Sequence, residues 1–204
     1  MSGKKLSFGF ATILLAGWMG AQAAEYQIDP AHSGILFKVT HMGINTVTGR
    51  FDSFQAVFDV DPNNIEATKG SAVIDVKSIN TSNAKRDNHL RSDDFFNAEK
   101  FPEIRFTSTS VRNVNKGDST CDLIGNLTLR DVTKEIVLHI KGGGIIRDDW
   151  GNEHAAFKAT GRINRFDYNL KWNKLMEAGG LVVGPDVDLA LTFEGVRPAE
   201  AVKK

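Results

Sequence analysis

The chain has 204 residues, of which 25% are charged and 41% are hydrophobic. Its 25 basic and 25 acidic residues balance to a formal net charge of zero at pH 7, so the chain lacks the net positive charge that is typical of nonspecific nucleic-acid binding. The single cysteine, Cys121, excludes a disulfide within the chain, so a hydrophobic core must stabilise the fold.

The first 23 residues predict a cleaved signal peptide. Two lysines precede an uncharged apolar stretch, residues 6–19, and the small side chains of Ala21 and Ala23 suit signal peptidase. A membrane anchor is the alternative, but this stretch is shorter than the roughly 20 apolar residues that span a bilayer. We expect export, and the bacterial periplasm is the compartment that fits best. The remaining residues, 24–204, carry 23 basic and 25 acidic side chains, a net charge of −2, and suit a single domain.

Most of the chain after the signal peptide alternates apolar and polar residues over short windows, which predicts β-strands. In the first window, Ile35, Phe37 and Val39 share one face and polar side chains share the other. The predicted strands are, in chain order, residues 35–41, 54–60, 70–78, 104–114, 120–130, 134–142, 155–164 and 187–196. Their short connections favour an antiparallel sheet, and closing that sheet removes its exposed edges. The predicted fold class is therefore all-β, a closed antiparallel β-barrel.

Three other segments have a composition of their own. Residues 82–96 suit a helix, with Ser82 or Asn83 as its N-cap, and we expect this helical excursion to lie across one end of the barrel. Three consecutive glycines, residues 142–144, indicate a bend or a bulge in a long strand. Residues 172–185 predict a longer loop that folds over the barrel mouth.

A series of motifs extends through the chain at residues 31–41, 49–54, 86–96, 101–108, 125–134, 166–173 and 184–189. In this order they resemble the YceI-like family of exported bacterial lipid-binding proteins. The resemblance implies a lipocalin-like barrel that binds a polyisoprenoid, of the quinone or prenyl phosphate type, or a similar long-chain amphiphile. It implies a periplasmic carrier or sequestering protein, with no cofactor other than such a bound lipid, and it permits a homodimer and transient membrane contact.

The walls of a cavity for such a lipid would come from the apolar faces of the strands. Burying an isoprenoid stabilises the complex by about 0.8 kcal/mol per methylene-sized unit, provided that the channel is dry. The candidate wall residues are Phe37, Val39, Ile74, Phe106, Leu127, Leu138, Phe157, Trp172, Leu189 and Leu191. Alternation does not distinguish a hollow barrel from a packed one, so a stress or interaction protein with a solid barrel is an alternative.

The helical segment contains Arg86, His89 and Arg91, which are candidates for contact with the polar head of an amphiphile. Structural pairing with the nearby aspartates is the alternative. His89, Ser92 and Asp94 make a poor catalytic triad, because the members of a triad must orient one another and usually come from distant parts of a sequence.

The five histidines do not have the spacing of a metal site, although ligands on different strands could still meet in space. We assign no catalytic residue and no metal ligand. An enzyme that acts on a small hydrophobic substrate in the same cavity is the remaining alternative.

Overall fold

The computed structural model describes residues 25–176 and 179–199, and the predicted signal peptide at residues 1–23 lies outside them. Within the described residues, the chain forms eleven strands and one α-helix, α1 (Ala84–Arg91). The strands are β1 (Tyr26–Ile28), β2 (Gly34–His41), β3 (Asn45–Phe51), β4 (Phe54–Asp59), β5 (Lys69–Asp75), β6 (Ile79–Asn80), β7 (Glu103–Asn115), β8 (Thr120–Leu129), β9 (Val132–Arg147), β10 (Glu153–Asn164) and β11 (Val183–Arg197). No helical segment there has the length and the apolar character that crossing a membrane would require.

The sheet closes on itself because the short strand β1 pairs with both β4 and β11. Tyr26 lies opposite Phe58 of β4, and Gln27 lies opposite Val196 of β11, both in antiparallel register. The closed ring consists of eight strands, in the order β1, β4, β5, β7, β8, β9, β10 and β11. The rest of the free edge of β11 pairs with β2, which in turn pairs with β3, and β3 with β6. The predicted closed antiparallel barrel is confirmed.

All eight predicted strands are present, but the sequence analysis missed β1, β3 and β6. Strands β1 and β6 have only three and two residues, too few for an alternating pattern. Strand β3 buries Gly49 and Phe51 and exposes mostly polar residues, so its apolar face is weak. The predicted strand 70–78 is too long, because the Asp75 side chain accepts a hydrogen bond from the backbone N–H of Lys77 and residues 76–78 form a 3-10 helix.

The three glycines lie inside β9, which continues to Arg147 rather than ending at residue 142. Gly142 pairs with Phe157 and Gly144 pairs with Ala156, so that Gly143 is an extra residue on this strand. The predicted bulge is therefore confirmed. Gly144 has a φ of +111°, a conformation that glycine adopts without steric cost.

The helix is shorter than the predicted helical segment 82–96. Asn83, one of the two predicted N-caps, accepts a hydrogen bond from the backbone N–H of Arg86 at 3.0 Å. After α1 the chain turns, and Phe95 and Phe96 pack against the main hydrophobic core of the barrel. The segment therefore lies against one end of the barrel, as predicted, although only its first half is helical.

Candidate binding cavity

A cavity of about 750 Å³ lies inside the barrel. Its lining includes Thr120 and Leu129, the first and last residues of β8, so the cavity follows that strand for roughly 30 Å at about 3.4 Å per residue. The volume falls within the range of roughly 300–1,000 Å³ that is typical of small-molecule sites. The alternative of a solidly packed barrel is therefore wrong.

Most of the predicted wall residues line this cavity. They are Phe37, Val39, Ile74, Phe106, Leu127, Leu138, Phe157, Leu189 and Leu191. The sequence analysis missed Phe51, because β3 was missed, and it did not assign Leu90, Phe95 and Phe96 because their segment was treated as helical. Ligand contact by these side chains stays a prediction.

Trp172 is the exception, since it does not appear among the described residues that line the cavity. Its ring packs against the rings of Phe95 and His89, with centroid distances of 5.2 and 5.1 Å. Its backbone carbonyl accepts a hydrogen bond from Arg165 at 2.9 Å, which holds this part of the chain against the end of the barrel. Trp172 thus lies at the end of the barrel rather than in the described lining of the cavity, and its contact with a ligand stays a prediction.

Two cavity-lining phenylalanines lie directly over glycines of the neighbouring strand. A Cβ atom added to Gly49 would lie 2.3 Å from Cζ of Phe37, and one added to Gly125 would lie 2.4 Å from Cζ of Phe106. These distances are too short for any side chain, so each glycine allows an aromatic ring to lie flat on the wall. The rings therefore line the cavity without filling it.

The two arginines of the helical segment bind the backbone around them. Arg86 donates to the Thr81 hydroxyl at 2.7 Å and to the Thr81 carbonyl at 2.8 Å. Arg91 donates to the carbonyl oxygens of Lys77 and Ile79 at 2.8 and 2.9 Å. Neither arginine lines the cavity. Their contact with a head group stays a prediction, while the structure shows that Arg86 attaches the start of α1 to Thr81 and that Arg91 attaches its end to residues 77 and 79.

His89 lies outside the cavity lining as well, and it pairs with Asp94 at 2.8 Å between Nε2 and Oδ2. The Ser92 hydroxyl, however, donates to the backbone carbonyl of His89 at 2.8 Å. A catalytic serine must instead donate to the imidazole ring of its base. These three residues do not have the geometry of a triad.

A buried charge, that of Arg165, lies at the end of the barrel that carries the helical segment. It was not predicted from the sequence. Arg165 is 3% exposed and lines the cavity. Burial lowers the pKa of its guanidinium group. Its hydrogen bonds go to four backbone carbonyl oxygens, those of Leu170, Trp172, Val183 and Gly184. The alternation of β10 contained the signal for it, because Ala159 and Ile163 line the cavity and Arg165 is the next inward position.

The opposite end of the cavity is its mouth. Lining residues there are exposed and several are polar, among them Lys69 and Lys116. The predicted loop 172–185 belongs to the other end of the barrel, as far as its described residues, 172–176 and 179–185, show. Its last residues belong to β11, whose first residue, Val183, pairs with His41 at the end that carries the helical segment. Trp172 of this loop packs on Phe95 of that segment.

A group of charged side chains meets on the outside of the barrel. Asp29, His32 and Glu194 place their ligand-type atoms within 4.8 Å of one another. The Asp29 carboxylate accepts a hydrogen bond from His32, 2.7 Å between Oδ2 and Nδ1, which raises the pKa of His32, and the Glu194 carboxylate raises the pKa of His154 in the same way. Sequence spacing does not reveal this group, because only the closure of the barrel brings residues 29–32 beside β11.

A closed antiparallel barrel around an apolar cavity defines a lipocalin-like barrel. The family model described as the YceI-like domain matches residues 26–195. The chain belongs to the YceI-like family.

Individual relatives agree with this assignment over nearly their whole length. The chain is 39% identical over 197 residues to the protein YceI of Salmonella agona, covering 94% of this chain and 96% of the relative. The crystal structure of Campylobacter jejuni YceI is similar with a TM-score of 0.64 and 32% identity, covering 85% of this chain and 98% of that chain. A polyisoprenoid binding domain from Saccharophagus degradans shares the fold with a TM-score of 0.61, at 19% identity and with coverage of 85% and 98%.

Proposed function

We propose that this protein binds a polyisoprenoid, of the quinone or prenyl phosphate type, or a similar long-chain amphiphile in the cavity of its barrel. The apolar cavity itself carries the proposal, because it is long, narrow and lined mainly by aliphatic and aromatic side chains. A related barrel described as a polyisoprenoid binding domain supports the choice of ligand.

The proposed task is that of a periplasmic carrier or sequestering protein. The tail leaves water when it enters through the mouth near Lys69 and Lys116, and desolvation of the tail drives binding. No chemical step is part of this proposal.

Export through a cleaved signal peptide, residues 1–23, belongs to the same proposal. Expression of the full chain in a bacterium, fractionation of the cells and N-terminal sequencing would test it. A periplasmic product that begins at Ala24 is expected, whereas an uncleaved product in the membrane fraction would contradict it.

The binding test begins with the purified protein and the lipids that it has acquired. Extraction with organic solvent and mass spectrometry should recover a long-chain isoprenoid, and protein freed of lipid should take up added ubiquinone. Repeated absence of any long apolar compound, together with no uptake of the quinone, would refute the proposal.

A matched pair of variants locates the site. Ala159 lines the cavity and is 1% exposed, while the next residue, Thr160, is exposed on the outer face of the same strand. Ala159→Phe should reduce uptake of the quinone because the new ring occupies the cavity, and Thr160→Phe should leave uptake unchanged. Circular dichroism would establish that both variants keep the β-sheet. Equal uptake by both variants would place the ligand outside the barrel.

A further inference from the structure

The charge of Arg165 has an unusual environment for a buried arginine. All the hydrogen bonds of its guanidinium group go to backbone carbonyl oxygens. Nε donates to Gly184 at 2.9 Å and Nη2 donates to Val183 at 3.0 Å. Nη1 donates to Leu170 and to Trp172. Within residues 25–176 and 179–199, no carboxylate pairs with it among the salt bridges. The carbonyl dipoles stabilise the cation, but the full positive charge is not neutralised.

The donor count leaves room for one more acceptor. A guanidinium group has five N–H bonds. The single N–H of Nε is donated to Gly184, and both N–H bonds of Nη1 are donated, to Leu170 and Trp172. Nη2 donates one of its two N–H bonds to Val183. One N–H of Nη2 is therefore available to an oxygen of a ligand. A hydrogen bond to a charged group in such a buried place is among the stronger ones in proteins.

The surroundings provide a second polar group. The side-chain nitrogen of Asn173 donates to the same Val183 carbonyl as Arg165, at 3.3 Å, and its side-chain oxygen is buried with no partner. Towards the mouth the lining is apolar, with Ile163 and Leu189 as examples. Asn173 lies behind Arg165, outside the described lining, so the closed end of the cavity carries the cation of Arg165 and apolar walls follow it.

We propose that Arg165 binds the oxygen-bearing head group of the ligand at the closed end of the cavity, with a preference for an anionic head, so that the tail points towards the mouth. This inference rests on the proposed function, since it assigns the orientation and the head-group class of the same ligand. It differs from the head-group contact predicted for Arg86, His89 and Arg91, which do not line the cavity.

The first test needs no variant. Phytanyl phosphate, phytanol and phytane have the same saturated C20 chain and differ in the head group. We expect the intact protein to bind the phosphate most tightly, roughly tenfold or more above the hydrocarbon, as a charge-assisted hydrogen bond predicts. A side-chain NMR experiment on the Arg165 Nε–H should show a shift with the phosphate and little shift with phytane.

The second test compares the two cationic positions of the cavity. Arg165→Lys keeps the charge and Arg165→Gln removes it, while the double variant Lys69→Met and Lys116→Met removes the cations at the mouth. We expect Arg165→Gln to abolish the preference for the phosphate over phytane, Arg165→Lys to retain part of it, and the double variant to retain all of it. Thermal unfolding would show whether the Arg165 variants fold, and the NMR measurement decides the question if they do not.

The outcomes separate this inference from the proposed function. Equal affinities for the three probes, no shift at Arg165, or loss of the phosphate preference in the double variant alone would each overturn the inference while chain binding stands. Failure of all three probes to bind would instead refute the proposed function.

Discussion

The close contact between Gly125 and Phe106 gives a sharp test of how the barrel keeps its cavity open. A Cβ atom added by Gly125→Ala would lie 2.4 Å from Cζ of Phe106 and 2.7 Å from the backbone oxygen of Thr107. The ring can rotate into the cavity, but the backbone oxygen belongs to the paired strand and cannot move without disturbing the sheet.

The expected cost follows from overpacking. Inserting a methyl group into a well-packed site destabilises a protein by about 1–3 kcal/mol. The loss of stability caused by Gly125→Ala should be smaller in a protein that also carries Phe106→Leu, because the smaller leucine side chain moves aside more easily. It should not vanish, since the contact with the Thr107 oxygen remains. The displaced ring should also reduce the amount of quinone that the protein takes up.

Gly70→Ala is the matched control for this substitution. Gly70 is likewise a strand glycine of the barrel, but an added Cβ atom would meet its nearest neighbours, Phe58 and Val57, at 3.7 Å, an ordinary contact distance. Urea unfolding of the two variants would give their free energies of unfolding. If Gly125→Ala and Gly70→Ala differ by less than about 0.5 kcal/mol, the explanation of the flat aromatic ring is refuted.

Three further predictions concern the stability of the fold. The hydrogen bond from Tyr26 is the main reason why the pKa of Glu153 is lowered to about 2. The stability that the ionised Glu153 contributes is present above the ordinary pKa of 4.5 and is lost as the pH falls towards 2. Glu153→Gln should therefore flatten the dependence of the free energy of unfolding on pH over that range, and an unchanged dependence would contradict the pairing. Ile79 has no exposed surface. Ile79→Ala should therefore lower the free energy of unfolding, measured in urea, by about 2–5 kcal/mol. A loss below about 1 kcal/mol would show that the site is not tightly packed. Asn83→Ala removes the cap on the Arg86 N–H and should cost about 1 kcal/mol, whereas Asn83→Asp should cost little; equal losses would argue against a capping role.

The arrangement of the cavity bears on how a ligand would enter and leave it. The exposed lining near Lys69 and Lys116 makes one end accessible, and Phe95, Phe96 and Arg165 line the other. Arg130, in the turn between β8 and β9, donates to the carbonyl oxygen of Phe95 at 3.0 Å and attaches the closing segment to the barrel. A ligand should therefore enter and leave through one end, and its orientation should be defined.

The sequence was sufficient for the barrel and for most of its inner face. Alternation at Phe37 and Val39 or at Leu189 and Leu191 depends only on neighbours along the strand, and a strand directs every second side chain to one face. The rule does not extend to Trp172, which lies beyond the end of β10. It could have reached Arg165, which continues the inward face of β10 by one step.

What the sequence determined by itself was the local pattern: the eight longer strands, a helix cap at Ser82 or Asn83, and a bend or a bulge at the glycines 142–144. Only the tertiary structure decided that the barrel is hollow, because a cavity depends on how side chains from opposite walls fill the space between them. It also decided that Phe106 lies flat over Gly125, and that Arg86 and Arg91 attach the helix while Arg165 lies at the closed end of the cavity. These contacts join residues far apart in the chain, and closure of the barrel is what brings them together.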